Sequence, residues 1–228
     1  MSTPAQEPAP FRDMKALSER PTPVRTITKA PSTAAAPRHT SVTPGSDGLS
    51  LRPGTCHEAQ QLTELALRSK GWWGYSESFL QTCRAELTLS PQTAEQTTVA
   101  QVDGHPAGFY LLSPIPPGSP LAPPFGAGSQ VTASSHGSLD MLFVDPEFIG
   151  TGVGRVLAED ARRVAGAHGW THLLIESDPQ AVEFYRRLGA EQIGERLSAS
   201  IPGRSLPLLE LPVRRTSGVG GARATYWR

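Results

Sequence analysis

Glycines alternate along residues 150–155, and this spacing suits the binding of an anion. The stretch reads Gly-Thr-Gly-Val-Gly-Arg and leads into an amphipathic segment. The first turn of a helix has N–H groups without intrahelical partners and carries the positive end of the helix dipole. A phosphate group satisfies both. Because Gly150, Gly152 and Gly154 have no β-carbons, a pyrophosphate could approach the backbone closely here.

The spacing argues against two common phosphate-binding loops. A P-loop requires Gly-Lys-Ser/Thr at its end, whereas Gly154 is followed by Arg155 and Val156. The dinucleotide fingerprint requires Gly-x-Gly-x-x-Gly, and Arg155 stands where its third glycine belongs. From the spacing alone, the remaining alternative is a glycine-rich turn that binds no ligand.

A strand and a helix must position this loop. Residues 139–144 read as a buried strand, and Pro146 follows it. After the loop, apolar residues recur at helical spacing, and Gly169 is placed to end the helix after His168. The predicted apolar face comprises Val153, Val156, Leu157, Ala161, Val164 and Ala165.

A second strand and helix follow at residues 172–190. Residues 172–177 read as a buried strand, and Asp178 then precedes Pro179 at the predicted start of a helix. Asp at the N-cap with Pro at the first helical position stabilises a helix by about 1 kcal/mol without any ligand. Phe184 and Tyr185 lie on this helix.

The glycine loop resembles a motif of the GNAT superfamily of acetyl-coenzyme A dependent N-acetyltransferases. In that family Arg/Gln-x-x-Gly-x-Gly/Ala follows a strand that ends in Val-x-Pro. Here Val144 and Pro146 match the strand end, and Gly152 and Gly154 match the glycines. Ile149 stands where the family usually has Arg or Gln.

Residues 178–190 are similar to a second motif of the same family, Asn-x-x-Ala-x-x-Phe-Tyr-x-x-x-Gly-Phe. Ala181, Phe184 and Tyr185 match it, whereas Asp178 replaces the Asn and Ala190 the last Phe. The resemblance covers roughly residues 49–213, and its specific part is 139–190.

The resemblance implies an α/β (α+β) fold. It consists of a mixed, mostly antiparallel central sheet of about six to seven strands with about four flanking helices. One pair of parallel strands, at 139–144 and 172–177, is expected to splay apart and to admit the pantetheine arm of the cofactor. A homodimer is common for this fold, although no segment of the sequence establishes one.

The resemblance implies that acetyl-coenzyme A is the cofactor, with coenzyme A as product. Backbone groups near residues 142–144 would bind the arm and polarise the thioester carbonyl, and the glycine loop would hold the pyrophosphate. The residues assigned to the cofactor are Leu142, Phe143, Val144, Gly150, Thr151, Gly152, Val153, Gly154, Arg155, Asp178, Ala181 and Tyr185.

The implied reaction is direct attack by a primary amine, of a small molecule or a peptide, on acetyl-coenzyme A in a ternary complex. Tyr185 is the expected acid for the leaving thiolate, because a phenol titrates near 10 and a thiol near 8.5. Some family members carry a catalytic Glu at the position of Ser138. Asp140, two residues further along the same strand face, is the candidate base, and the alternative is a structural role in which it caps a loop or pairs with an arginine. Glu176 is in reserve, and a relay through water with no single base also stays open.

The acceptor site is expected between the first helices and the last hairpin. Trp72, Trp73 and Tyr75 concentrate aromatic rings in one interhelical loop, where they could bind a cation or anchor the loop to the domain. Arg204 lies in the predicted hairpin turn at residues 200–205 and could bind an anionic group.

A second class of function stays open. A chain that keeps this fold without turnover would be a coenzyme A-binding regulatory or partner-binding module. Ser138 at the position of the family's Glu favours this alternative, whereas Tyr185 and the glycine loop favour the enzyme.

Composition bounds the function further. The 228 residues are 38% hydrophobic and carry 21 basic and 21 acidic side chains, so the charge balance gives no indication of a nucleic-acid partner. We expect no membrane span and no secretion signal, and hence a cytoplasmic protein with reduced thiols at Cys56 and Cys83. His57, His105 and His168 lack metal-ligand spacing, so no metal is expected.

The chain is organised around one folded domain at residues 49–213. Residues 1–48 form a Pro-, Ala-, Ser- and Thr-rich segment expected to be disordered, and residues 214–228 form a basic, flexible tail. Residues 114–138 are rich in proline and glycine and predict an insertion loop, either a mobile segment or a lid over the cleft.

The front half of the domain has clear local signals. Thr55 to Glu58 predicts a capping box before a first helix, and Ser76 caps a second. Residues 97–102 and 107–113 flank an Asp-Gly turn and predict a hairpin. Two helices are therefore expected between the first strand, at 49–52, and the second.

Overall fold

A seven-stranded mixed sheet forms the centre of the part of the chain that the computed structural model describes, residues 48–115 and 135–213. The expected tails and most of the predicted insertion loop lie outside these residues. The strands are ordered β1-β2-β3-β4-β5-β7-β6 across the sheet. Their bounds are β1 Leu49–Pro53, β2 Thr97–Val102, β3 His105–Pro114, β4 His136–Val144, β5 His172–Glu176, β6 Glu191–Leu197 and β7 Ser205–Pro212.

Five α-helices cover the sheet within the described residues. They are α1 Ala59–Gly71, α2 Glu77–Leu87, α3 Pro91–Glu95, α4 Val153–Ala167 and α5 Val182–Arg187. Short 3-10 helices lie at Cys56–Glu58 before α1, at Pro146–Phe148 before the glycine loop of α4, and at Pro179–Ala181 before α5. This arrangement confirms the predicted fold class, with one more helix than expected.

Strands β4 and β5 form the parallel pair, and their pairing is short. The register joins His136 to His172, Gly137 to Leu173 and Ser138 to Leu174, and it goes no further. Every other described strand pair is antiparallel. β4 runs on to Val144, so the two strands splay apart beyond Ser138, as the sequence predicted.

A β-bulge in β4 lies at the start of this splay. The register with β3 passes from Leu112↔Leu139 directly to Leu111↔Met141, which leaves Asp140 as the extra residue. A bulge bends its strand and increases the local twist. It therefore helps β4 to turn away from β5 while β4 stays paired with β3.

Local sequence signals explain where the first helices begin. Thr55 and Glu58 form the predicted capping box, with the Glu58 carboxylate accepting from the Thr55 N–H at 3.0 Å. The Ser76 hydroxyl accepts from the Phe79 N–H and caps α2. Ser90 caps α3 in the same way, through the Thr93 N–H. The predictions for α1 and α2 are confirmed.

The two faces of the sheet carry separate hydrophobic cores. Helices α4 and α5 pack on one face around Leu157, Leu173 and Leu209, all fully buried. Helices α1 to α3 pack on the other face around Leu62 and Phe109. Cys83 lies in this second core, and both cysteines are free thiols, as expected.

The structure corrects several predicted boundaries. Three α-helices, rather than the predicted two, lie between β1 and β2. The sequence did not predict α3 because this short polar helix has a single buried residue, Ala94, and so no apolar periodicity. β4 begins at His136, three residues before the predicted start, so the loop predicted at 114–138 ends earlier. β3 begins at His105. In the described parts of the chain, no helix is both long and apolar enough to cross a membrane.

Close packing at the closed end of the parallel pair gives a test of the fold. A β-carbon at Gly137 would collide with the indole ring of Trp170. We expect Gly137→Ala to lower the free energy of unfolding by about 2 kcal/mol, the usual cost of overpacking. Chemical denaturation with circular dichroism measures this change.

Gly194→Ala is the matched control, because a β-carbon there meets nothing within 4 Å and the residue also lies in a strand. We expect it to be neutral or to stabilise by up to about 1 kcal/mol. Equal stability of the two variants would contradict the packing of Trp170 against Gly137.

Candidate functional site

The splay between β4 and β5 opens into a cleft of about 680 Å³. Residues Leu139 to Val144 of β4 form one wall, and Ile175, Glu176 and Ser177 at the end of β5 form the other. This volume lies within the range of small-molecule and cofactor sites. Beyond Ser138, β4 is paired with β3 on one edge and no longer with β5 on the other. The edge of β4 that faces the cleft therefore offers backbone N–H and C=O groups.

The glycine loop closes one end of the cleft and leads into α4. Gly150 and Gly152 have φ angles of 85° and 99°, a backbone conformation that favours glycine. Gly152 is the N-cap of α4 and has no side chain to cap it. The first helical hydrogen bond runs from the Val156 N–H to the Gly152 carbonyl at 3.1 Å. The N–H groups before Val156 are therefore without a partner inside the helix, as an anion site requires.

Most residues assigned to a cofactor line the cleft. These are Leu142, Phe143, Val144, Gly150, Gly152, Gly154, Arg155, Asp178, Ala181 and Tyr185. Thr151 and Val153 are not part of the lining. The Thr151 hydroxyl donates to the Phe148 carbonyl at 2.7 Å, and Val153 is buried in the core. Their backbone groups remain in the loop.

Tyr185 lies between the cleft and the core. It lines the cleft and yet is only 6% exposed, because α5 packs its ring into the core beneath α4. Burial raises the pKa of the Tyr185 phenol above its ordinary value. The phenol is thus protonated at neutral pH, and the same burial makes it a weaker acid than an exposed phenol.

Asp178 links three connecting segments at the rim of the cleft: the α1–α2 loop with the end of α1, the β6–β7 turn, and its own β5–α5 connection. Its carboxylate accepts from Lys70 Nζ at 3.0 Å at the end of α1 and from the Tyr75 hydroxyl at 2.8 Å in the α1–α2 loop. Arg204 Nη2, in the β6–β7 turn, lies 3.4 Å from the carboxylate and 2.9 Å from the Tyr75 hydroxyl. The same carboxylate caps the 3-10 helix before α5 through the Gln180 N–H. The side chains of Asp178, Lys70 and Arg204 are each less than one-fifth exposed.

This network sets two ionisation states. Burial on its own would raise the pKa of Asp178, but the Gln180 N–H, Lys70 and Tyr75 outweigh it and lower that pKa below its ordinary value. Burial and the hydrogen bond to Asp178 raise the pKa of Tyr75 to about 12. Asp178 is therefore ionised and Tyr75 neutral at neutral pH. The predicted N-cap role of Asp178 is confirmed.

The aromatic residues near α1 divide into two sets. The Tyr75 ring stacks on Phe79 at 4.3 Å, and Lys70 and Arg204 lie within 6 Å of both rings, at cation–π distance. Trp72 and Trp73 are 56% and 42% exposed, and of the two it is Trp73 that lines the cleft. Tyr75 and Arg204 thus build the rim, Trp73 extends it, and Trp72 is not part of the lining.

Three carboxylates line the cleft on the side of α2. Asp140 and Glu176 each lie two residues beyond the last β4–β5 pair, so they flank the point where the strands separate. Glu86 of α2 also lines the cleft. Burial raises the pKa of Glu176; Arg196 partly offsets this, and the charges of Glu86 and Asp140 raise it further. Ser138 is buried in β4, below the opening.

Sequence reasoning missed Lys70 and Glu86 as site residues. Both lie on amphipathic helices, where charged residues at such positions are ordinarily solvent-exposed. Lys70 lies two residues before Trp72, at the start of the aromatic loop, and this nearness was the available signal. Glu86 has no sequence signal, because its approach to β5 depends on how α2 packs on the sheet.

Comparison with known proteins identifies the family. A sequence profile of the acetyltransferase (GNAT) family matches residues 60–190, more than half of the chain. The chain therefore belongs to the GNAT acetyltransferase family. Enzymes of this family use acetyl-coenzyme A.

Individual relatives agree with this assignment. The peptidyl-lysine N-acetyltransferase YjaB of Escherichia coli strain K12 is 41% identical over 84 residues, which is 37% of this chain and 54% of that protein. The chain thus spans about half the length of this relative. Two solved structures share the fold, each with a TM-score of 0.52 over 72% of this chain. One is a GCN5-related N-acetyltransferase from Rhodopseudomonas palustris, which is 20% identical and is covered over 96% of its chain. The other is the PaiA N-acetyltransferase from Thermoplasma acidophilum in complex with coenzyme A, which is 17% identical and is covered over 98% of its chain.

The Asp178 network predicts a large effect on stability. Asp178→Ala would leave Lys70 and Arg204 as neighbouring, mostly buried cations and remove a helix cap. We expect the free energy of unfolding to fall by about 3 kcal/mol. Urea unfolding followed by circular dichroism measures it.

Glu183→Ala provides the control, because the Glu183–Arg186 ion pair on α5 is well exposed and should contribute less than about 1 kcal/mol. If Asp178→Ala lowers the free energy of unfolding no more than Glu183→Ala does, the network does not hold these three segments together.

Proposed function

We propose that the protein transfers the acetyl group of acetyl-coenzyme A to the primary amine of a cationic acceptor, and that the acceptor is a lysine side chain of a peptide or protein. The observation that carries this proposal is the layout of the cleft. An anion-binding glycine loop lies at one end, and three carboxylates lie where β4 and β5 separate. The first suits the pyrophosphate of the cofactor, and the second suits a positively charged amine.

The cofactor would enter from the side of α4 and α5. Its pyrophosphate would accept hydrogen bonds from the free N–H groups at the start of α4, with Arg155 beside them. The pantetheine arm would pair with the free backbone edge of β4 near residues 142–144, as a short extra strand does. The thioester would then lie beside the bulge at Asp140.

The acceptor would enter from the opposite side, past α2 and the β6–β7 turn. Glu86, Asp140 and Glu176 would attract an ammonium group, and Trp73 could pack along its aliphatic chain. The relative YjaB is named for acetylating peptidyl lysine, which supports this acceptor class. An ammonium group must lose a proton before it attacks, so a nearby base is needed.

The chemistry would use Glu176 as the base and Tyr185 as the acid. Glu176 takes one proton from the ammonium group, directly or through water, and its raised pKa makes it a stronger base than an ordinary carboxylate. The free amine attacks the thioester carbonyl, whose oxyanion is held by backbone N–H groups of β4. When the C–S bond breaks, Tyr185 protonates the thiolate, and the second proton on the attacking nitrogen passes through water to the Tyr185 phenolate, which restores the phenol. Asp140, the base expected from the sequence, would then share in attracting the acceptor.

Thiol release gives the direct test of this function. We expect the protein to release coenzyme A from acetyl-coenzyme A when a lysine-containing peptide is present, and mass spectrometry to find the acetyl group on the lysine side chain. Tyr185→Phe should lower kcat by about 10²- to 10⁴-fold, the usual effect of losing a general acid.

Tyr110→Phe serves as the control, because Tyr110 is also buried but donates to Asp160, outside the cleft lining. Binding of coenzyme A without release to any lysine peptide or small amine would favour the regulatory module instead. Equal activity in Tyr185→Phe and the wild type would reject Tyr185 as the acid and leave the proposed reaction standing.

The pH profile tests the base. Glu176 acts only when ionised, so kcat/KM should fall as pH falls through its pKa. Glu86→Gln removes a charge that raises this pKa, so the acid limb should move to lower pH, whereas the acceptor's own ionisation is unchanged. Initial rates measured across pH with one peptide show the shift.

Glu77→Gln on the same helix is the control, since Glu77 is exposed and bonds to Gln81. An acid limb that stays in place in Glu86→Gln would exclude Glu176 as the group that titrates.

A further inference from the structure

Two histidines and a glutamate meet at the closed end of the parallel pair, below the cleft. His136 of β4 pairs directly with His172 of β5, and Glu210 of β7 pairs with Leu174 of β5. Residues directly paired in a sheet share a face, and so do residues two apart along a strand. The three side chains therefore project from the same face of three adjacent strands.

Their donor atoms lie close together. His136 Nε2 is 3.1 Å from Glu210 Oε1, and the two imidazole rings stack at 5.1 Å with an interplanar angle of 18°. One donor atom from each of the three residues fits within a span of 4.8 Å. His136 is 3% exposed and Glu210 is 27% exposed at the side chain, so the cluster is largely shielded from water.

The remaining ring nitrogens are oriented by neighbouring hydroxyls. His136 Nδ1 lies 3.0 Å from the Ser135 hydroxyl, and His172 Nδ1 lies 3.0 Å from the Thr171 hydroxyl. Histidines that bind metals usually engage their second nitrogen in such a hydrogen bond, which fixes the ring and the tautomer. Each Nδ1 atom therefore has a hydroxyl neighbour, and His136 Nε2 faces the Glu210 carboxylate.

We propose that His136, His172 and Glu210 form a site for a divalent transition metal, with Zn²⁺ as the preferred ion. Two imidazole nitrogens and one carboxylate oxygen are a ligand set that Zn²⁺ accepts, with water in the fourth position. Ligand atoms around tetrahedral zinc lie about 3.3–3.5 Å apart, so closure needs a movement of about 1 to 1.5 Å, which small side-chain rotations shared between His172 and the partly exposed Glu210 can supply.

The position of the site gives the metal a structural role. The bound ion would link β4, β5 and β7 beside the three residue pairs that join β4 to β5. It would thereby stabilise the paired end of these two strands, beyond which they separate. This proposal does not depend on acetyl transfer. The ligands are 36 and 38 residues apart along the chain, as the numbers 136, 172 and 210 show, so no linear metal motif reveals them.

Zinc binding by the full chain tests the site. The purified protein is stripped with a chelator, dialysed, and titrated with Zn²⁺ by calorimetry, while Tm is followed by circular dichroism. We expect one ion per chain and, at a hundredfold excess over Kd, a rise in Tm of about 5–10 °C. Replacement by Co²⁺ should give the visible absorption of a tetrahedral site with nitrogen and oxygen ligands.

Variants locate the ion. His172→Ala and Glu210→Gln should each weaken Zn²⁺ binding at least about tenfold and, at the same Zn²⁺ concentration, lower the rise in Tm to about half or less of that of the wild type. Glu210→Gln keeps the shape of the side chain and its reach to His136, so it covers the case in which His172→Ala folds poorly. His105→Ala, at an exposed histidine in the β2–β3 hairpin, should bind as the wild type does.

Two results would overturn the proposal. The first is the absence of saturable Zn²⁺ binding by the wild type, which would leave the cluster as a direct hydrogen bond between His136 and Glu210. The second is binding that survives in both His172→Ala and Glu210→Gln, which would place the ion elsewhere in the chain.

Discussion

The short register of the β4–β5 pair is the constraint on which the rest of the structure depends. Three residue pairs join these strands, and each strand then keeps its outer partner, β3 for β4 and β7 for β5. The splay therefore frees backbone groups along the two inner edges alone. Buried backbone groups need partners, so a ligand that enters the gap can supply the hydrogen bonds that the missing pairs would have made.

Charge is distributed unevenly around a chain that is neutral as a whole. Its 21 basic and 21 acidic side chains cancel, so the protein has little long-range field with which to attract either ligand. The free N–H groups of α4 and the carboxylates near Asp140 instead act at short range, within a Debye length of about 8 Å at physiological salt. Under the proposed function each group lies where its own ligand would arrive, and the Asp178 network lies at the rim of the same cleft.

Local signals in the sequence predicted much of the fold, whereas they could not predict contacts between elements that are distant along the chain. The capping box at Thr55, the cap at Ser76 and the glycine loop at Gly152 each depend on residues within one turn, and they fold as expected. The start of β4 was misplaced because Gly137 is buried by Trp170, more than thirty residues later in the chain. The acidic group around Glu176 similarly arises from the packing of α2 on the sheet.

The sheet also separates two hydrophobic cores, and the cleft runs between them. The glycine loop and Tyr185 are supported by the core beneath α4 and α5, whereas Glu86 and the aromatic rim are supported by the core beneath α1 to α3. Substitutions at distant, independent sites usually act additively. Under the proposed function, the surface around α1 and α2 could therefore diverge during evolution and change which amine is accepted, while the half proposed to hold the nucleotide stays the same.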